Sequence, residues 1–160
     1  MPQPLDVAIR LTDGVADIAI ASGDLAIDRG LTTAVLVSLF SDGRAPADAD
    51  LPGAPGDVRG YWAESSADRF GSLLWLLTRA LATQETLTRA KTYCEQALAW
   101  LEREGIAAGV DVAASYGPAK QLSLEIKIRR GSAEQWAQLW DETARTDFKA
   151  QGVQLAIIPA

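Results

Sequence analysis

Residues 28–44, DRGLTTAVLVSLFSDGR, hold an almost wholly apolar run: Leu31, Ala34, Val35, Leu36, Val37, Leu39 and Phe40 leave little polar surface on any side. A helix that is apolar nearly all round has to be covered nearly all round. This stretch is therefore predicted to be a central helix. Thr32 and Thr33 stand near its start, and Gly43 is placed to end it in the left-handed conformation. Arg44 then leaves the helix as a charged handle.

Before it, Leu5, Val7, Ile9 and Leu11 alternate with Asp6, Ala8 and Arg10, the period of a strand with one buried face. Asp13-Gly14 marks a turn, residues 15–20 read as a second strand, and Ser22-Gly23-Asp24 leads into a short third strand over 25–27, giving a small antiparallel meander. Asp6, Asp13, Asp17, Asp24 and Asp28 recur along it. They lack the ordered ligand spacing of a calcium loop and fit turns and solvent-facing positions.

After the central helix, residues 46–70 carry Pro46, Pro52, Pro55, Gly53, Gly56 and Gly60 and are predicted to be irregular. Ordinary connections take about 4 to 6 residues, so a loop this long points to a binding feature or disorder. Its second half holds Arg59, Tyr61, Trp62, Arg69 and Phe70, a mixture suited to anchoring on a partner. Tyr61 and Trp62 are equally suited to pinning the loop onto its own core.

Gly71-Ser72 is predicted to open a second helix, with Leu73, Leu76, Leu77, Ala80 and Leu81 as its buried stripe and Trp75 off the stripe's centre. Thr83 is a plausible cap for a third helix ending near Glu104 at Gly105, with Leu87, Ala90, Cys94, Ala97, Leu98 and Leu101 facing inward. Val110, Val112, Ala114 and Tyr116, then Leu122, Leu124, Ile126 and Ile128, alternate with polar or small residues across the link Gly117-Pro118-Ala119-Lys120, the clearest hairpin in the chain. Beyond Ser132, Trp136, Leu139 and Trp140 fit a helix face or a strand face. The apolar run over 153–158 has strand character, and its edge is open to a neighbour or to its own sheet. The expected fold is α+β: three helices packed on antiparallel strands from the N-terminal meander and the C-terminal hairpin. It forms one domain over 1–160, with 46–70 an irregular loop and 132–160 a C-terminal extension of undecided structure.

Composition narrows the function. A net charge of -6 over 160 residues argues against a broad attraction to nucleic acid. No run reaches about 18 consecutive apolar residues and no leader pattern opens the chain, which points to a protein made and kept in cytoplasm. Histidine is absent and Cys94 is the one cysteine. This chain by itself therefore builds no Ser-His or Cys-His nucleophile pair, no intrachain disulfide and no cysteine metal cluster.

The order of segments GDLAIDRGLTTAVLVSLFSDGRA, RGYW, GSLLWLL, ALAWLEREGIA, VDVAAS and LSLEIKIRR resembles the Mu-like phage baseplate protein family. More distantly it is similar to the lysozyme-like baseplate wedge family, the sheath initiators of contractile tails. The resemblance covers residues 17–130. It implies a structural wedge protein or sheath initiator of a phage tail or tail-like bacteriocin, linking baseplate to sheath. Its partners would be other wedge proteins, the tail sheath protein and central hub or tube proteins, with no nucleic acid and no membrane. It would sit in the virion tail baseplate, assembled in the host cytoplasm. Arg44 falls on the wider family's glycine-acid-arginine turn, and Gly71-Ser72 on its glycine-serine helix start. The family's Glu-Pro-Arg motif after the last long helix is replaced here by Leu101-Glu102-Arg103-Glu104-Gly105, which lacks the proline.

The expected contact residues are Arg44, Arg59, Tyr61, Trp62, Arg69, Arg129 on the hairpin and Ile157 on the terminal strand, with no catalytic, cofactor or metal site. Two other readings compete. A lysozyme-like glycosidase needs two carboxylates; Glu64, Asp68, Glu102 and Glu104 can be nominated, but no spacing singles out a pair. A small-ligand-binding domain needs convergent polar groups in a pocket, and Gly53-Ala54-Pro55-Gly56 lacks the Lys and Ser/Thr of a phosphate loop.

Overall fold

Helix α1 (Thr32–Phe40) buries Val35, Leu36 and Leu39 together with two polar residues, Thr33 and Ser38. The computed structural model describes residues 6–12, 15–28, 30–62, 69–132, 146–150 and 153–160. Leu5, the Asp13-Gly14 turn, Glu64, Asp68 and the undecided Trp136, Leu139 and Trp140 lie outside the described residues. The carboxylate of Asp28 takes the free N–H groups of Gly30 and Thr33 at the start of α1, the role a side-chain cap performs. At the other end the helix stops at Ser41 in an extended conformation, φ -81° and ψ 136°. The expected left-handed Gly43 stop is therefore corrected. Gly43 is buried and small because Ser72 and Gly71 press against it: an added Cβ would lie 3.2 Å from the Ser72 carbonyl oxygen.

The expected helical layer of three is also corrected: among the described residues there are two α-helices. The stretch after Gly71 forms only a short 3-10 helix, Leu74–Leu77. Trp75, Leu76 and Leu77 are all buried in succession, Leu77 in the main core and the other two in a smaller cluster with Ala45. An α-helix turns about 100° per residue and cannot aim three consecutive side chains at one face. Ala80 and Leu81, meant for the buried stripe, are exposed. Helix α2 (Gln84–Arg103) follows expectation: Thr83 accepts a hydrogen bond from the Thr86 N–H, and Ala90, Cys94, Leu98 and Leu101 are fully buried. Trp100 Nε1 donates to Ser38 Oγ at 3.0 Å, tying α2 to α1.

The N-terminal segment is not a meander. It forms six short strands, β1 (Asp6–Val7), β2 (Ile9–Thr12), β3 (Val15–Ile18), β4 (Ile20–Ala21), β5 (Asp24–Leu25) and β6 (Ile27–Asp28). These pair antiparallel as three separate arms, β1 with β6, β2 with β3 and β4 with β5. Ala8, Ala19 and Ala26 stand where the arms meet. The Ala8 N–H donates to Ala26, Ala26 to Ala19 and Ala19 to Ala8, closing a ring of three backbone hydrogen bonds at 2.9, 2.8 and 2.8 Å. The sequence repeats with it: DVAIR at 6–10, DIAIA at 17–21 and DLAID at 24–28. In each repeat the first aspartate accepts the N–H of the next residue, at 2.8 to 2.9 Å. Every repeat pairs with a different neighbour on either side of its alanine, so no strand runs on into a meander.

Strands β7 (Ala107–Tyr116) and β8 (Leu122–Arg130) make the expected antiparallel hairpin, with Val112 opposite Ile126 and Ala114 opposite Leu124. The expectation of purely antiparallel strands does not hold. Strand β10 (Val153–Pro159) lies parallel to β8, with Leu155 beside Leu124 and Ile157 beside Ile126, and antiparallel to β9 (Thr146–Ala150). The sheet order is β7-β8-β10-β9, with no N-terminal strand among the described residues. Leu124, Ile126, Ile128, Leu155 and Ile157 close the core beneath α1 and α2. Each such side chain contributes roughly 1.5–3 kcal/mol of burial.

Candidate partner-binding surface

Past the end of α1, residues 41–43 run alongside 71–72. Ser72 N–H donates to the Ser41 carbonyl at 2.9 Å, and Gly43 N–H donates to the Ser72 carbonyl at 2.8 Å. The Ser72 hydroxyl reaches back to the Leu39 carbonyl, one of the unpaired acceptors at the helix end. Gly71 makes this approach possible: its φ is +87°, and a Cβ there would sit 2.6 Å from the Ser41 oxygen.

Trp75 completes the crossing by donating its indole N–H to the Gly43 carbonyl at 2.8 Å. The Arg59 guanidinium lies 4.4 Å from the centre of the Trp75 ring, and its Nη1 donates to Asp42 Oδ2 at 2.7 Å. Asp57 stands 3.6 Å from its Nε. The Asp42 hydrogen bond raises the Arg59 pKa further above its ordinary value, against a smaller opposing effect of burial. The residues that follow are thereby aimed outward: Gly60 turns at φ +103°, Tyr61 packs 5.6 Å from Trp62, and Phe70 meets Tyr61 edge-on at 5.6 Å. Trp62 is 88% exposed.

Phe70 also lines a cleft of about 260 Å³ with Arg44, Arg69, Gly71, Tyr93 and Gln96. Arg44 and Arg69, both exposed, have no ion pair among the described residues. Arg44, Arg69, Tyr61 and Trp62 thus belong to one continuous surface linked through Phe70. Arg59, itself exposed, borders it as a positioning residue, its guanidinium committed to Asp42 and Trp75. Arg129 is elsewhere, on β8, where its guanidinium crosses Gly109 and pairs with Asp111 at 3.2 Å. Ile157 is fully buried on a strand paired along both edges, so its side chain and its strand's edges are already engaged within the domain. The sequence does not single out Asp42 or Tyr93 and places Trp75 only off a stripe's centre; the Asp42–Arg59 and Trp75–Gly43 contacts join residues 17 and 32 positions apart.

Of the nominated carboxylates that are described, Glu102 accepts the Val110 N–H at the outer edge of β7, and Glu104 pairs with Arg103. Among the described residues no three His, Cys, Asp or Glu side chains could hold a metal ion. A second hollow of about 320 Å³ lies between Leu39, Trp75, Leu77, Tyr116, Gln121 and Val153. There the enclosed Gln121 Nε2 has no hydrogen-bond partner among the described residues.

Comparison with known proteins places these features in a family. The model of the family described as phage protein GP46 matches residues 31–135, from α1 past the end of β8. The chain is 46% identical over 110 residues to the baseplate protein gp46 of Escherichia phage Mu, covering 68% of this chain and 76% of that protein. It is 37% identical over 134 residues to the Mu-like prophage FluMu protein gp46 of Haemophilus influenzae, covering 81% of this chain and 92% of that one. The matched region includes α1, the Gly43–Gly71 crossing, the exposed aromatics, α2 and the hairpin, and the chain belongs to the phage protein GP46 family.

Proposed function

We infer that this chain is a structural component of a phage tail baseplate that works by contact rather than by catalysis. Its relative in phage Mu carries the name of a baseplate protein. More finely, it serves as a wedge protein or sheath initiator of a contractile tail or tail-like bacteriocin. It links neighbouring wedge proteins and the central hub or tube to the sheath, in a baseplate assembled in the host cytoplasm. The observation that carries the reading is the Trp62–Tyr61–Phe70 cluster beside Arg44 and Arg69. Aromatic and arginine side chains in this combination form the energetic centres of protein interfaces. A buried aromatic contributes roughly 150–250 Å² of contact, and an arginine fork engages a partner carboxylate through two bonds. Arg129 adds a candidate contact on the sheet, and Ile157 supports it from within.

The test is co-purification of the full chain with the baseplate and sheath proteins encoded beside it. Recovery in one complex, lost on Trp62→Ala in a chain that keeps its circular dichroism, is the expected result. A folded chain that joins none of them would overturn the reading.

A further inference from the structure

The three repeats around the alanine ring are alike in backbone but not in what fills them. Opposite residues flanking each alanine, such as Val7 with Ile27 or Ile20 with Leu25, sit at the non-bonded positions of their arms, because the alanines take the bonded ones. Each repeat therefore presents one outward carbonyl before its alanine and one outward N–H after it. In the first repeat this notch is occupied: Thr33 Oγ1 accepts the Ile9 N–H at 3.3 Å and donates to the Val7 carbonyl at 3.2 Å. Thr33 is buried on the first turn of α1, whose start holds two threonines ahead of an apolar run, and the hydroxyl of the second is what fills the notch.

The second notch, formed by the Ile18 carbonyl and Ile20 N–H, and the third, formed by the Leu25 carbonyl and Ile27 N–H, have no partner among the described residues. Their flanking side chains are four large aliphatics that the fold leaves in solvent: Ile18 54%, Ile20 67%, Leu25 51% and Ile27 47% exposed. We propose that these two notches dock a Ser or Thr hydroxyl on the apolar start of a helix from another baseplate protein, as Thr33 of α1 docks the first. The proposal rests on the reading of the chain as a baseplate component.

The chemistry of the notch selects the occupant. A hydroxyl both donates and accepts through one atom, whereas an ammonium only donates and an ionised carboxylate only accepts. A carboxylate would also meet Asp17 or Asp24, whose side chains are held at the edge by their own backbone bonds. A partner strand is disfavoured, because each repeat turns from one arm into another at its alanine and offers a single carbonyl and N–H rather than a continuing edge. At the first notch Ile9 packs against the core that holds Leu31 and Val35; the four exposed aliphatics offer a partner helix the matching apolar area at the other two.

Residue-resolved hydrogen exchange of the wild-type chain, free and within purified tail particles, tests this. The Ile20 and Ile27 amides are expected to exchange fast in the free chain and to slow by about tenfold or more at one or both notches in the particle. Ile9 stays slow in both. A chain present in the particle whose Ile20 and Ile27 amides exchange as in the free chain overturns the docking proposal alone. A chain absent from the particle overturns the baseplate reading and the proposal with it. A density map of the particle supplies the second readout: a Ser or Thr side-chain oxygen between Ile18 and Ile20, or between Leu25 and Ile27, supports the assignment. A strand there, or a second copy of this chain, overturns it.

Discussion

Trp75 and Gly43 are joined by a 2.8 Å hydrogen bond from indole to carbonyl, across 32 positions of sequence. Because the bond is buried, its loss leaves an acceptor unsatisfied, which costs about 1–3 kcal/mol. Trp75→Phe keeps most of the apolar bulk but removes the donor and weakens the stack on Arg59. A fall in urea-unfolding free energy within that range is expected, together with reduced co-assembly, since the aromatic loop is aimed from this point.

Gly71→Ala faces two obstacles, a left-handed φ of +87° and a Cβ 2.6 Å from the Ser41 oxygen. Backbone atoms on both sides cannot move aside without breaking the 41–43 and 71–72 crossing. A destabilisation beyond about 1 kcal/mol is expected, read as a lower thermal midpoint. An unchanged midpoint would show that the crossing is dispensable.

Arg44→Ala and Trp62→Ala alter exposed side chains that lie outside both buried clusters. Surface changes of this kind stay within about 0.5 kcal/mol in stability, whereas loss of an interface anchor costs about 2 kcal/mol or more in binding. Both variants should unfold like wild type and bind the neighbouring baseplate proteins more weakly. A variant of either residue that fails to fold would assign that residue to the domain's own architecture.

Cys94 is fully buried on α2, and burial pushes its thiol up to about 12. An unfolded cysteine ionises near roughly 8.5. Between those values the unfolded chain releases a proton that the folded chain keeps, so the unfolded state gains from rising pH and stability falls. Below about 8.5 this contribution is fully present. The urea midpoint should drop between pH 8 and 10 by less in Cys94→Ala than in wild type, and a thiol reagent at pH 8 should label Cys94 rapidly only after unfolding.

Long, regular periodicity was readable in the chain. Helix α2 repeats its apolar stripe over 20 residues from a threonine cap, and the hairpin alternates over strands of 10 and 9, so local pattern and tertiary burial agree. The 3-10 segment was not readable, because Trp75, Leu76 and Leu77 serve two different clusters. The alanine ring was hidden by unequal spacing: its five-residue repeats begin at 6, 17 and 24, with no fixed period to find. The parallel pairing of β10 depends on a partner strand more than 20 residues away, which alternation within one strand does not specify. For the candidate contact surface, the residue types of the loop nominate Tyr61, Trp62 and Arg69, and the turn after the first helix nominates Arg44. The geometry that supports them comes from Asp42, Gly43, Trp75 and Tyr93, whose residue types alone do not announce the contacts they make.

The insertion of β10 between β8 and β9 sets an order of events during synthesis. Strand β8 is complete at Arg130, but its inner neighbour begins only at Val153. At about 5–20 residues per second the ribosome takes roughly one to four seconds to cover that interval. Throughout it, the β8 edge that carries Leu124, Ile126 and Ile128 has no strand to pair with. An open apolar edge is a template for wrong pairing, so the nascent chain is most exposed to aggregation just before its sheet closes, and a chaperone that holds this edge would raise the yield of assembly-competent protein.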